Sequence, residues 1–258
     1  MEAIESLLMG VALGMPRVLA ACFLLPVFGQ RSMSAFLRVA VALAFSLPIM
    51  PLTIAQVHSA ALDNVGMTVL ILKETVLGLL MGLAVAVPFW AAEAIGFVVD
   101  NQRGAATGSM VNPMTGDEAS PLANLISQAY IVLFLVMGGL TLLLDVIYQS
   151  YAMWPVTAAW PQFDARFGEH AMGLLDSLIR TTILLAAPIM IAMLLAELAL
   201  AIVSLFAPQM QVFFLAMPIK SGVALFVLVI YFSTLLHYLG QGVTTIPEIS
   251  GTLAKLLR

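Results

Sequence analysis

Six long apolar stretches are the feature that most constrains the fold of this chain. A helix needs about 20 apolar residues to cross a bilayer, and lipid offers the backbone no hydrogen-bonding partner outside the helix itself. The stretches therefore predict an all-α, multi-pass membrane protein. They cover residues 4–28, 35–57, 66–99, 122–147, 172–206 and 212–239.

Composition excludes the soluble classes of protein. Of the 258 residues, 62% are hydrophobic and 9% are charged, whereas a soluble domain is about 45–50% apolar and about 25% charged. A soluble globular enzyme and a disordered chain are both excluded. The net charge of -4 comes without a basic run, so nothing indicates nucleic-acid binding. The single cysteine, Cys22, excludes an intrachain disulfide.

The number of apolar stretches disagrees with the number of membrane crossings that the charge distribution predicts. The first link and the tail carry Arg31, Lys255 and Arg258, whereas the N-terminus is acidic. The positive-inside rule then places the N-terminus outside and the C-terminus inside, which requires an odd number of crossings. Residues 66–99 are too many for one upright span and few for two, so both a long tilted or kinked helix and a short hairpin fit them. Either this stretch crosses twice, or some segment does not cross.

Proline interrupts the apolar stretches more often than ordinary helix kinks explain. Each proline removes a backbone donor and kinks or breaks its helix. Broken helices are tolerated in a membrane where protein or water satisfies the freed groups, as in transporters and pores. The prolines inside or at the edges of apolar stretches are Pro16, Pro26, Pro48, Pro51, Pro88, Pro188 and Pro218.

Charged residues inside the apolar stretches are candidate functional residues. An unpaired charge in hydrocarbon costs about 2.5–3.5 kcal/mol even on the lenient insertion scale. Glu93 and Asp100 are seven residues apart and so nearly on one helix face, with Arg103 within a further turn. Pairing or subunit contacts are favoured, while lining a water path or binding a substrate stays open. The charges are Lys73, Glu74, Glu93, Arg180, Glu197 and Lys220.

Residues 100–121 form the one long polar segment in the middle of the chain. Glycine, proline and small polar residues dominate it, so neither helix nor strand is expected to persist there. Asp117 or Ser120 is suited to cap the next helix, with Pro121 in its first turn. Met110 and Met114 also lie in this segment, where flexible thioether side chains are suited to form an adaptable seal.

Enzyme motifs are absent from the sequence. There is no His-Glu-x-x-His pair, no phosphate-binding glycine loop and no Cys-x-x-Cys. Three histidines are scattered over distant segments, so we expect neither a metal site nor a cofactor. No internal repeat or shift in composition marks a boundary, and residues 1–258 are expected to form a single domain.

An ordered set of motifs runs along almost the whole chain. The motifs are Lys73-Glu74 with Gly78 and Gly82, Pro88-Phe89-Trp90, Glu93, Gly96, Asp100 and Gln102-Arg103-Gly104, Ser120-Pro121-Leu122, Gly138-Gly139, Ser150-Tyr151 with Pro155, Ala207-Pro208-Gln209-Met210 and Phe213 to Ser221. In their joint order and spacing these motifs resemble the SctT/FliR family, the export-apparatus proteins of bacterial type III secretion systems. Two of them, Asp100-x-Gln102-Arg103-Gly104 and Pro218-Ile219-Lys220, favour the injectisome branch over the flagellar branch.

The resemblance implies a non-enzymatic role in a multi-subunit export gate of the bacterial inner membrane. Pro-broken helical hairpins would assemble into a helical complex, with one copy of this chain beside SctR/FliP-type and SctS/FliQ-type subunits and near an SctU/FlhB-type switch protein. Much of the complex would be lifted out of the bilayer plane, which accounts for the disagreement between apolar stretches and crossings. Unfolded secreted proteins would be the substrate, and membrane lipid a further partner.

The resemblance also implies two groups of site residues. The central segment would project into the channel as a plug, and the intramembrane charges would mainly hold subunits together. The plug residues are Gly104, Gly108, Ser109, Met110, Asn112, Pro113, Met114, Gly116 and Ser120. The charges are Lys73, Glu74, Glu93, Asp100, Arg103, Glu197 and Lys220.

Two alternatives to an export gate stay open at the level of sequence. The stronger is a small-molecule, proton-coupled secondary transporter or channel subunit, in which Glu93, Asp100 and Glu197 relay protons. Such transporters usually carry an internal repeat, and none is found here. An intramembrane enzyme is a distant third and would need a convergent catalytic pair.

Overall fold

A computed structural model describes residues 2–29, 33–58, 64–104, 120–158, 160, 164, 166–206 and 212–256. These residues form helices and turns and contain no strand, which confirms the all-α fold class. The α-helices among them are α1 (Glu2–Leu24), α2 (Ala35–Ser46), α3 (Met50–His58), α4 (Asn64–Gln102), α5 (Pro121–Val136), α6 (Gly139–Met153), α7 (Phe167–Phe206), α8 (Val212–Thr244) and α9 (Ile246–Leu256).

The prolines divide into those inside helices and those at helix breaks. Pro26 begins a short 3₁₀ turn that follows α1, and Pro48 lies in a second 3₁₀ turn between α2 and α3. Helix α4 contains Pro88 and still runs as one element, which decides in favour of a long helix over a hairpin for residues 66–99. The prolines inside continuous helices are Pro16, Pro88, Pro188 and Pro218.

A glycine pair breaks the fourth apolar stretch. The sequence analysis treated residues 122–147 as one stretch, but the structure divides them between α5 and α6. Gly138 adopts the left-handed conformation with φ 76°, which residues with a side chain rarely take. At Gly139 a Cβ atom would collide with the ring of Phe134. The break therefore depends on two positions where only glycine fits.

The chain divides into two compact units. Unit 1 comprises residues 1–87, 134–174 and 243–258, and unit 2 comprises residues 88–133 and 175–242. In unit 1, helix α1 packs against α2 and α3, and α6 packs against α9. The backbones of α1 and α4 also come very close to each other. A Cβ atom at Gly78 would collide with the carbonyl oxygen of Arg17, and a Cβ atom at Gly82 would lie 2.8 Å from the carbonyl oxygen of Ala21.

Unit 2 has an apolar core of its own. The rings of Phe89 and Tyr130 meet edge to face with centroids 4.7 Å apart. Helices α4 and α5 approach closely at Gly96, where a Cβ would collide with the backbone of Ala123. Residues from α7 and α8, such as Ile189 and Leu235, are also fully buried.

Long apolar helices make this chain a multi-pass membrane protein. Within the described ranges, four helical segments are long and apolar enough to cross a bilayer, or five if the α5–α6 pair counts as one span. The apolar window of α4 is 56% buried inside the chain, whereas the windows of α7 and of residues 215–253 are 11% and 17% buried. Most of the apolar surface of α7 and α8 is therefore left uncovered by the chain itself.

Candidate functional site

Three buried charges form a cluster in unit 1, which we call the Arg17 cluster. The guanidinium of Arg17 in α1 donates from Nε and Nη2 to the two carboxylate oxygens of Glu74 in α4, at 2.7 and 2.9 Å. Lys73 Nζ lies 3.2 Å from Glu74 Oε1. All three side chains are at most 1% exposed. This forked geometry joins α1 to α4 with the strongest type of side-chain pair.

The remaining donors of Arg17 reach α6 and the turn after it. Nη1 donates to Ser150 Oγ at 2.9 Å, and Nη2 donates to the carbonyl of Trp154 at 3.0 Å. The guanidinium also stacks 4.0 Å above the centroid of the Tyr151 ring, and the hydroxyl of Tyr151 donates to the carbonyl of Gly14 at 2.6 Å. A single arginine thus fastens α1, α4 and α6 together.

Lys73 holds the turn that follows α6. Its ammonium donates to the carbonyls of Pro155, Val156 and Ala158 at 3.1, 2.6 and 3.1 Å. The N–H of Val156 donates to Gln56 Oε1 at 3.0 Å. The Arg17 cluster carries two cations and one anion. The three carbonyl oxygens that accept from Lys73 supply the missing negative partial charge. Within the described chain, the ammonium is therefore committed to intrachain contacts.

A second cluster joins the two ends of the central polar segment, and we call it the Asp100 clasp. Asp100, near the end of α4, accepts from Arg103 Nε at 2.7 Å through Oδ1. Its Oδ2 accepts from Ser120 Oγ at 2.6 Å and from the N–H of Leu122 at 2.9 Å. Ser120 Oγ in turn accepts from the N–H of Ala123 at 3.4 Å. One carboxylate thus caps α5 and ties its first turn to the end of α4.

The segment between the two ends of the clasp lies outside the described residues. Of the plug residues that the resemblance implies, the structure describes Gly104 and Ser120. Gly104 has φ +82°, a conformation that favours glycine, and lies beside the side chain of Met217 in α8. The plug residues outside the description are Gly108, Ser109, Met110, Asn112, Pro113, Met114 and Gly116.

The other sequence-selected charges occupy more exposed positions. Lys220 in α8 pairs with Glu197 in α7 at 3.0 Å, with side-chain exposures of 13% and 50%. Glu93 lies half-buried on α4, the helix that also carries Asp100. Arg180 is exposed on α7. Within the described part of the chain, no three His, Cys, Asp or Glu residues are grouped so as to hold a metal ion.

Sequence reasoning missed the cation at the centre of the Arg17 cluster. Arg17 was not among the candidate charges, and its partner Ser150 appeared only within the motif Ser150-Tyr151. Glu74 was selected because burying a charge within an apolar stretch costs free energy. The same criterion applies to Arg17 and would have selected it as well.

The chain has relatives among characterised bacterial proteins. It is 35% identical over 257 residues to the Yop proteins translocation protein T of Yersinia pestis, covering 99% of this chain and 98% of that protein. It is 31% identical over 234 residues to the surface presentation of antigens protein SpaR of Salmonella typhimurium, covering 90% and 86%. The flagellar biosynthetic protein FliR of Bacillus subtilis is 28% identical over 221 residues, covering 85% and 84%.

The order of these identities agrees with the motif-based preference for the injectisome branch over the flagellar branch. Residues 8–246 also match the family described as bacterial export proteins, family 1. That match takes in both buried charge clusters and all of helices α2 to α8. The chain therefore belongs to family 1 of the bacterial export proteins.

Proposed function

We propose that this chain is a subunit of the type III secretion export gate in the bacterial inner membrane, where it forms part of the wall and the plug of a channel for unfolded polypeptides. The observation that carries the proposal is the end-to-end relationship with a Yop translocation protein, at 35% identity over 99% of the chain. The chain is an export-apparatus component and not an enzyme, as the sequence indicated.

The uncovered surface of α7 and α8 supports an assembled state. Ile183, Leu195 and Phe226 are 59%, 61% and 68% exposed. Apolar area of this extent is buried either by lipid or by other subunits. We propose that SctR/FliP-type and SctS/FliQ-type subunits cover part of it, with one copy of this chain per complex, and that an SctU/FlhB-type switch protein is a further neighbour.

The Arg17 cluster and the Asp100 clasp suggest distinct roles for the charges within this subunit. The Arg17 cluster rigidifies the helices of unit 1 so that they form a stable wall. The clasp sets the distance between the two ends of residues 104–120, the proposed plug. A plug anchored at both ends can move aside without releasing its anchors, and it needs few buried contacts to stay in place.

A proton-coupled transporter gains no support from the relatives, which are named for translocation, surface presentation and flagellar biosynthesis. The relay proposed for it also uses groups that have other partners. Asp100 is held by three donors, and Glu197 is paired with Lys220. We propose that residues 1–258, which comprise both compact units, form one export-gate domain.

Co-purification of the tagged chain with its co-expressed partner subunits tests the assembly. We expect a complex of fixed, unequal stoichiometry, measured by native mass spectrometry, and poor stability of the chain expressed alone. Stable, active transport of small molecules by the chain on its own would contradict the proposal.

Shortening residues 106–118 tests the plug. Assembled complexes with the shortened segment should leak small ions across liposome membranes, while an equal-length Gly/Ser replacement should leak less because it retains the bulk of the segment. Unchanged permeability of a fully assembled, shortened complex would remove the plug assignment.

A further inference from the structure

An apolar groove of about 460 Å³ runs along unit 1 between α1 and α4. Its lining includes Ala12, Met15, Leu19 and Phe23 from α1 and Ile71 and Leu79 from α4. Thr75 also lines it, but its hydroxyl donates to the carbonyl of Ile71 at 2.8 Å and so is already satisfied. The surface offered to an occupant is therefore almost wholly hydrocarbon.

The groove has the length of a lipid tail. It follows α1 from Val11 to Phe23, and at about 1.5 Å per residue this is about 18 Å. One leaflet of a bilayer has a hydrocarbon depth of roughly 15 Å, half of the full core. An acyl chain lying in the groove would therefore reach from one end to the other.

A buried cation with two unsatisfied nitrogens lies at the Phe23 end of the groove. Arg38, in the first turn of α2, places its guanidinium carbon 5.6 Å from the centroid of the Phe23 ring. Arg38 is only 9% exposed, and its Nε and Nη2 atoms make no hydrogen bond within the part of the chain that the structure describes. Arg17, by contrast, has acceptors for all three of its nitrogens.

An unsatisfied buried guanidinium is costly, and since none of the described residues supplies an acceptor for Nε and Nη2, these atoms are available to an anionic group of a ligand. Arginine binds phosphate with two parallel N–H donors and retains its charge in any environment. The N-terminal end of α2 adds positive potential at the same place. Phe36, two residues before Arg38, is 84% exposed, so the same helix turn also carries an apolar side chain that the chain leaves uncovered.

We propose that this groove binds one anionic phospholipid, with an acyl chain between α1 and α4 and the headgroup phosphate on Arg38. The net positive charge of the site favours an anionic lipid over a zwitterionic one, because a choline group would bring a second cation close to Arg38. The bound lipid would fill a groove that is otherwise open and would satisfy Arg38 at the same time.

Native mass spectrometry of the full chain in delipidated complexes tests this site. We expect one dioleoyl phosphatidylglycerol to bind roughly tenfold more tightly than dioleoyl phosphatidylcholine. Arg38→Gln should remove that preference, and Arg38→Lys should retain part of it. Arg166→Gln is the matched control, since Arg166 is exposed and pairs with Asp164. Its lipid binding should equal that of the wild type.

Binding of the acyl chain in the groove is tested separately, by a substitution that fills the groove. Ala12→Phe should weaken both lipids, because it occupies the tail site and leaves Arg38 in place. Inorganic phosphate should not displace phosphatidylglycerol, since it lacks a tail. A phosphatidylglycerol with a photoreactive tail should label residues 11–23 of the unmodified chain, and this measurement does not depend on the folding of any variant.

Two results would overturn the proposal. One is equal binding of phosphatidylglycerol to the wild type and to Arg38→Gln. The other is loss of a partner subunit from Arg38→Gln complexes with lipid binding unchanged, which would make the acceptor a carboxylate of that partner.

Discussion

The Arg17 cluster and the Asp100 clasp use the same chemistry in different surroundings. Both join an arginine to a carboxylate at 2.7 Å. The Arg17 cluster is at most 1% exposed and joins elements that are 57 and 133 residues apart, whereas the arginine of the clasp is 14% exposed and lies three residues from its partner. The first arrangement suits a permanent connection between helices, and the second suits an anchor for the proposed plug.

The largest expected effect is at Glu74. Glu74→Gln leaves Arg17 and Lys73 buried without their counter-ion, so we expect a destabilisation of about 3–5 kcal/mol. Thermal unfolding in detergent measures it, with the exposed residue Glu169 changed to Gln as the control. A Glu74→Gln variant as stable as the control would remove the distinction between the two clusters.

Asp100→Asn is expected to have a smaller and more local effect. The change removes the ion pair with Arg103 but retains one acceptor for Ser120 or Leu122. The free energy of unfolding should therefore fall by about 1.5–3 kcal/mol. Hydrogen exchange at the N–H of Leu122 should quicken by roughly tenfold to a hundredfold and should change little in unit 1. Asp145→Asn, on the exposed face of α6, is the control. Uniform destabilisation of both units would contradict a local anchor.

Gly96 tests whether close helix packing in unit 2 positions the clasp. Gly96→Ala places a Cβ against the backbone of Ala123, so α5 must shift, at a cost of about 1–3 kcal/mol. Gly222→Ala is the matched control, because its Cβ would meet nothing within 4 Å and alanine favours a helix by about 1 kcal/mol. If Gly96→Ala and Gly222→Ala changed stability equally, the close approach of α4 and α5 would not be needed to position the clasp.

The smallest effect is expected at Glu197. Its carboxylate is half-exposed, and exposed ion pairs contribute about 0–1 kcal/mol. Glu197→Gln should therefore barely change the melting temperature of the chain purified alone. A larger fall in melting temperature that appears only in complexes with partner subunits would place the pair of Glu197 and Lys220 at a subunit contact.

Much of the fold follows from sequence patterns. The apolar stretches predicted α1, α4, α7 and α8. Of the two residues suggested to cap α5, Ser120 accepts from the N–H of Ala123, and Asp117 lies outside the described residues. The continuity of α4 through Pro88 was left open, because periodicity alone does not distinguish a kinked helix from a short hairpin. The break at Gly138 was missed, since it depends on a backbone conformation that a composition argument does not contain.

The candidate sites were less predictable than the fold. Glu74 was selected for the cost of its charge in apolar surroundings, and Asp100 for its helical spacing from Glu93, with Arg103 within a further turn. The pair of Asp100 and Arg103 agrees with that spacing, but the distant partners Arg17 and Ser120 were not identified. Arg17 lies 57 residues before Glu74, and Ser120 lies 20 residues after Asp100. Arg38 was not among the candidate charges. Its significance depends on two nitrogens that find no acceptor among the described residues, a property that requires coordinates.

Sequence alone determined the membrane class, the helical fold and the family, because these depend on composition, helix-forming patterns and the order of motifs along one dimension. Tertiary structure decided which charges are paired, which are half-exposed and which lacks an acceptor. The physical reason is that the free energy of a charge depends on its burial and its neighbours. Both are set by how distant segments pack against each other.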